Sequence, residues 1–173
     1  KKDPEPIEIT GYQQYGEPFY NIPFIEDIVM YEVNLRAFSQ DGNLAGVQQK
    51  LDHLASLGVN VIWLMPIQTN GGPLNSPYCI SNFYEVDEEY GTLADLRTFV
   101  AEAHNRDMAV ILDWVANHTS WDHPWIDSVG WYTTDAQGNI IHPSGTNWTD
   151  VADLNFENLD LQHQMIDAMR YWV

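Results

Sequence analysis

The chain has a single cysteine, Cys79, which rules out a disulfide within it and leaves the redox compartment open. Cationic residues are scarce too. Seven Lys and Arg stand against 25 Asp and Glu, giving a formal net charge of −18. Such a surface repels phosphate backbones, which argues against a nucleic-acid partner and for a solvated acidic exterior. No apolar run approaches the roughly 20 residues that span a bilayer. There is no low-complexity segment and no secretory signal peptide, although a mature exported form would lack the latter as well. What remains is 173 residues, 45% hydrophobic and 13% aromatic, enough for a sizeable core and suited to one domain.

Residues 1–27 carry Pro4, Pro6, Gly11, Gly16, Pro18 and Pro23 with little periodicity and read as an N-terminal arm or linker. Lys1–Lys2–Asp3–Pro4 is similar to the tail that follows the lipidated cysteine in some bacterial lipoproteins. The matching expectation is a secreted, periplasmic or cell-surface location. Residues 28–33 form the first expected strand. Asn43 is placed to cap a helix whose apolar stripe is Leu44, Val47, Leu51, Leu54 and Leu57, with Gly58 ending it. Residues 59–66 (VNVIWLMP) form the second strand, and 67–91 read as a long loop. Thr92 with Asp95 opens a second helix, which buries Leu96, Phe99, Val100 and Ala103. Residues 108–113 form the third strand. Residues 119–152 read as a small irregular excursion rich in tryptophan, and 158–173 as a third helix with Leu161, Met165, Met169 and Trp172 on one side. Strands alternating with amphipathic helices predict a parallel sheet with right-handed crossovers.

The stretch 108–119, MAVILDWVANHT, carries the most chemistry. A short apolar run of this kind is a strand buried on both faces. Polar residues at its C-terminal end stand where α/β barrels and open parallel sheets build their sites. Asp113 is a catalytic carboxylate, a metal ligand, or an orienting partner of another group, because a buried carboxylate needs a partner. Asn117 offers a carbonyl oxygen suited to a hard cation. His118 offers a ring N–H for a substrate hydroxyl. The plainer alternative for all three is a capped strand end. His118, Asp122 and His123 raise a transition-metal reading, although their spacing matches no common zinc pattern. Tyr78, in the long loop beside Pro77, is either a stacking platform for a sugar ring or ordinary loop packing against Phe83 or Tyr84. The same two readings apply to Trp121, Trp125, Trp131 and Trp148.

Five ordered segments together resemble the N-terminal part of the catalytic barrel of the α-amylase family, glycoside hydrolase family 13. Residues 31–38 (YEVNLRAF) and 61–67 (VIWLMPI) look like its first two strands. Residues 76–91 (SPYCISNFYEVDEEYG) are similar to its loop ending in tyrosine–glycine. Residues 113–118 (DWVANH) look like its D-x-x-x-N-H signature, and 151–155 (VADLN) resemble its short signature after strand three. The resemblance covers residues 28–173. It implies an α/β fold, a (β/α)8 TIM barrel present as its first three βα units plus the short excursion, acting on α-glucans by a retaining mechanism. By position, Tyr78 would stack on the sugar at the cleavage subsite and His118 would bond one of its hydroxyls. Asp113 would orient an arginine beside the nucleophile rather than act as an acid. Asn117 and Asp153 match positions that bind calcium in many members, although the short excursion speaks against that ion. Asp107 departs from the family's glycine before strand three, and Trp114 and Ala116 depart in size.

In that family the nucleophilic aspartate, the acid/base glutamate and a third aspartate follow strands four, five and seven, past Val173. The expectation is therefore an N-terminal fragment, inactive alone, whose further partner is the remainder of the same barrel. Two rivals stand beside it. One is a non-catalytic amylase-like binding or assembly protein. The other is a metal-dependent barrel hydrolase using Asp113, His118 and His123.

Overall fold

A computed structural model describes residues 21–71 and 76–173. Most of the arm read at 1–27, the lipoprotein-like Lys1–Lys2–Asp3–Pro4, and the Gly72–Pro73 part of the long loop lie outside the described residues.

Three strands form a parallel sheet: β1 (Met30–Val33), β2 (Val61–Leu64) and, after two more strands described below, β5 (Ala109–Leu112). Their order is β1-β2-β5, in the register Tyr31–Ile62–Val110 and Val33–Leu64–Leu112. Alternation along the strands sets the two faces. Val33, Ile62, Leu64, Val110 and Leu112 share one face and pack against the helices. Glu32, Trp63 and Ile111 share the other. The expected parallel βαβαβ order is thus observed.

The crossover from β1 to β2 differs from the single helix expected. After a short turn of helix, α1 (Leu35–Phe38), it runs as α2 (Leu44–Gln48) and α3 (Leu51–Ser56). The break falls at Lys50, whose N–H bonds the Val47 carbonyl at 2.8 Å, three residues back. Leu44, Val47, Leu51 and Leu54 are buried as read, but Leu57 is exposed because the helix has already ended. Asn43 caps α2 by accepting the Gly46 N–H at 3.1 Å. Gly58 takes φ +80, the left-handed conformation a terminating glycine supplies without strain.

The segment read as one long loop contains an antiparallel hairpin of β3 (Gln68–Asn70) and β4 (Ile80–Val86). Two register shifts interrupt it, so its buried residues Ile80 and Phe83 break the two-residue period that marks a strand. α4 (Leu93–His104) opens on the full capping box of Thr92 and Asp95 and buries Leu96, Phe99 and Ala103, with Val100 packed alongside. Before β5, Asp107 takes φ +56. This is a left-handed position that glycine fills freely and aspartate tolerates better than most residues. The Asp107 carboxylate accepts the Asn21 amide at 2.6 Å.

The excursion after β5 is also more ordered than its sequence suggests. β6 (His118–Ser120) pairs antiparallel with β7 (Val151–Asp153). α5 (Leu159–Arg170) follows, capped by Asn158, and buries Leu161, Met165 and Ala168. Met169, expected on that face, is 45% exposed. The hairpin, the excursion and α5 enclose a second core around Phe83, Val115, Tyr132 and Met165.

Candidate functional site

β5 ends at Leu112, and the next residue still joins the ladder: the Asp113 N–H bonds the Leu64 carbonyl at 2.8 Å. Alternation therefore turns the Asp113 side chain to the face of Ile111, away from the helices. There its carboxylate accepts the Tyr78 hydroxyl at 3.1 Å. Burial, reinforced by that carboxylate, pushes the Tyr78 pKa up to about 12. The phenol stays protonated and donates.

Tyr78 stands just before β4, where two backbone bonds fix its neighbour Cys79. Cys79 N–H bonds the Ser76 carbonyl, and Gly71 N–H bonds the Cys79 carbonyl at 2.8 Å. The Asp122 carboxylate lies against Gly71, 2.5 Å from where a Cβ would stand, so a side chain there would have to push that carboxylate aside.

His118 opens β6 and is only 6% exposed. Its Nε2 lies 3.0 Å from the Tyr78 carbonyl. A carbonyl only accepts, so the proton sits on Nε2. The N–H open to a substrate hydroxyl or to a local contact makes the local one, with Tyr78, and Nδ1 is a buried acceptor with no partner among the described residues. Burial lowers the His118 pKa, against the pull of the Tyr78 bond and of Asp150 and Asp153, so the ring is held neutral.

Tyr78, Asp113 and His118 thus line one cleft of about 460 Å³, together with Cys79, Trp148 and Asp150. Its wall is tied across the chain by the Cys79 thiol, which donates to Asp150 at 3.0 Å. Burial and that carboxylate push the thiol up to about 12, so it is a donor and not a nucleophile.

Asn117 also lines the cleft, and its carbonyl accepts the Leu154 N–H at 3.1 Å. Asp153 faces His118 in the β6–β7 register. Asn117 immediately precedes β6, and its bond to Leu154 is made by the main-chain carbonyl.

The described residues give the metal-hydrolase reading no support. Among the described residues, no three His, Cys, Asp or Glu side chains are grouped to hold a metal ion. His123 is 3% exposed and packed against Phe83 and Trp125, and its Nδ1 caps the 3-10 turn Pro124–Asp127 by accepting the Trp125 N–H. With His118 bonded to Tyr78, these histidines serve folding contacts rather than a shared ion.

The model of the α-amylase catalytic domain matches residues 34–144, well over half of the chain. The chain belongs to the α-amylase family. Among curated relatives, α-amylase 3 of Dictyoglomus thermophilum is 28% identical, over 89% of this chain and 36% of that protein. The trehalose-6-phosphate hydrolase of Bacillus subtilis is 31% identical, over 87% of this chain and 33% of that protein. Among solved structures, an α-amylase from Lactobacillus plantarum superposes with a TM-score of 0.79 at 38% identity, covering 84% of this chain and 36% of that one. The chain thus spans about a third of the length of these α-amylase-family relatives. Its three βα units correspond to the N-terminal part of the (β/α)8 barrel of that family.

Proposed function

We propose that this chain supplies part of the sugar-holding site of a retaining α-glucan hydrolase or transglycosylase. One observation carries the reading: Tyr78, 35 residues before Asp113 and 40 before His118, meets both in a single cleft at the C-terminal end of the parallel strands. That is the end at which barrel enzymes assemble their sites.

Tyr78 offers an aromatic face to the reacting sugar, and its hydroxyl is pinned by Asp113. His118 orders Tyr78 by donating its Nε2–H to the Tyr78 carbonyl. Asp113 acts as a positioning group, here on Tyr78 and, in the complete barrel, on an arginine beside the nucleophile. A retaining glycosidase needs two carboxylates about 5–5.5 Å apart across the scissile bond. We assign these to barrel segments outside the 173 residues, since the chain spans only about a third of its relatives.

Asn117, just before β6, and Asp153, opposite His118 on β7, are hard oxygen donors of the kind calcium takes, and they are the residues that would hold the ion. Calcium takes 6–8 oxygens, so carbonyls or water would complete it. A bound ion there would clamp the excursion and leave the chemistry to the carboxylates.

The test is steady-state kinetics of the full-length protein on maltooligosaccharides. Tyr78→Ala and His118→Ala should each lower kcat as well as raise KM, by about tenfold or more in kcat/KM, the first by removing a contact that tightens in the transition state and the second by releasing Tyr78 from its placement. Variants that melt like the parent with undiminished turnover would overturn the assignment. Saccharide binding without any turnover in the parent would make it a non-catalytic amylase-like binding protein instead.

A further inference from the structure

The hairpin beside Tyr78 is closed by a buried carboxylate that the cleft does not use. β3 offers three residues against the seven of β4, and the register slips twice between them. The longer strand has to buckle. Asp87, which follows β4 at the open end, thereby comes within reach of Asn70, which stands opposite Ile80 at the turn end. Asp87 is 8% exposed, and a carboxylate taken out of water needs donors. One of its oxygens accepts both the main-chain N–H of Asn70, at 3.0 Å, and the side-chain amide of Asn70, at 2.7 Å. The other accepts the Glu89 N–H at 2.9 Å.

Arg36, from α1, braces the same point. Its guanidinium donates to the Glu89 carboxylate from Nε and from Nη2, each at 2.8 Å, and lies 5.5 Å from the centre of the Tyr90 ring. Its Nη2 also stands 3.5 Å from the Asn70 side-chain oxygen. The amide of Asn70 is therefore held at both ends, its nitrogen by Asp87 and its oxygen beside Arg36.

From Asn70 the hold passes to Tyr78 in two short steps. Asn70 faces Ile80 in the ladder, and the next residue, Gly71, donates its N–H to the Cys79 carbonyl at 2.8 Å. Cys79 and Ile80 are the two residues that follow Tyr78. The chain on that side of the tyrosine is thus fixed from β3, while Asp113 holds the hydroxyl and His118 the carbonyl. Asn70 is not among the residues that line the cleft, so it acts only through what it holds.

We propose that Asn70 is a positioning residue for the sugar site: pinned by Asp87 and Arg36, it fixes the backbone beside Tyr78 and so sets where the tyrosine ring meets the reacting sugar. This rests on the reading of the Tyr78 cleft as a sugar site. Asn70 itself touches no substrate and moves no proton.

The experiment is a double-mutant cycle in the full-length protein, read as kcat and KM on maltooligosaccharides well below the melting temperature of every variant. Asn70→Ala should lower kcat/KM about tenfold, most of it in kcat, since a misplacement of about 1 Å can cost about a hundredfold. In a Tyr78→Ala background the same change should cost less than about twofold, because the ring whose placement it sets is gone. Asn70→Asp keeps the shape of the side chain but turns a carboxylate toward Asp87. It should show the same dependence on Tyr78, which keeps the cycle decisive if the alanine variant folds poorly. Equal losses with and without Tyr78 would mean that the network only supports the fold, and no loss in either background would mean that it places nothing; each overturns the proposal. A parent without turnover, or one in which Tyr78→Ala alone costs nothing, defeats the sugar-site reading and this role with it.

Discussion

Replacing His123 with asparagine should change how stability depends on pH. The ring is 3% exposed, with Trp125 at 4.7 Å and Phe83 at 5.3 Å between centroids. Burial pushes its pKa down to about 4, with Asp122 pulling weakly the other way. Its Nδ1 already accepts the Trp125 N–H at 3.0 Å, so a proton there would break the cap. An unfolded histidine titrates near 6.5. Between about pH 6.5 and pH 4 the unfolded chain therefore takes up a proton that the folded chain refuses. Stability falls as the pH is lowered through that window and loses nothing further to this group below it. A separation of about two and a half units corresponds to roughly 3 kcal/mol.

Asparagine keeps an acceptor for the cap but cannot be charged. At pH 7.5, His123→Asn should be less stable than the parent by about 1–2 kcal/mol, for the lost ring packing. At pH 4 the order should reverse, the difference having moved by roughly 3 kcal/mol in the variant's favour. Urea unfolding of both proteins at several pH values measures this directly. Taking the difference cancels the carboxylate titrations the two share. A difference that stays flat from pH 7.5 to pH 4 would refute the reasoning, since it would mean the ring reaches water when charged.

Two further outcomes follow from the backbone and from the strand pair of the excursion. Asp107→Val should cost about 1–2 kcal/mol in thermal unfolding, because a branched residue resists the left-handed position, whereas Asp107→Gly should stay within about 0.5 kcal/mol of the parent. If Asn117 and Asp153 hold calcium, EDTA should lower the Tm of the full-length protein, calcium should restore it, and Asp153→Ala should abolish the response; a Tm indifferent to EDTA would remove the ion from the account.

What the sequence discloses is what short windows encode. β1, β2 and β5 announce themselves as apolar runs, and the caps at Asn43, Gly58 and Thr92 as local patterns, because each rests on residues within a turn of one another. The β3–β4 hairpin stays hidden for a physical reason. Gln68, Thr69 and Asn70 are polar, the ladder is bulged, and pairing across the turn supplies what propensity does not. The β6–β7 pair joins residues more than 30 apart, again beyond any local window. The site was legible as a set of residues and illegible as a network. Nothing near His118 in the chain says that its N–H meets the carbonyl of Tyr78, 40 positions earlier. The tryptophans of the excursion look alike in sequence, and only packing separates the core rings from Trp148.

The charge of the molecule bears on how such a cleft can work. With a net charge of −18 and Asp113 and Asp150 in the cleft wall, an anionic ligand would meet repulsion from the surface and from the site alike. A neutral glucan is indifferent to that field. It gains no electrostatic steering, so its affinity must come from aromatic faces and fixed hydrogen-bond partners. Those are what the three segments bring together, and each is anchored by a neighbour: Tyr78 by Asp113, His118 by the Tyr78 carbonyl, and the Trp148 segment by Cys79 and Trp121. Rigid placement matters more here than in a charged site. A stacking contact loses its value once the ring is free to turn away, and for Tyr78, pinned through its hydroxyl, the entropy of ordering the ring is met on folding instead of on binding.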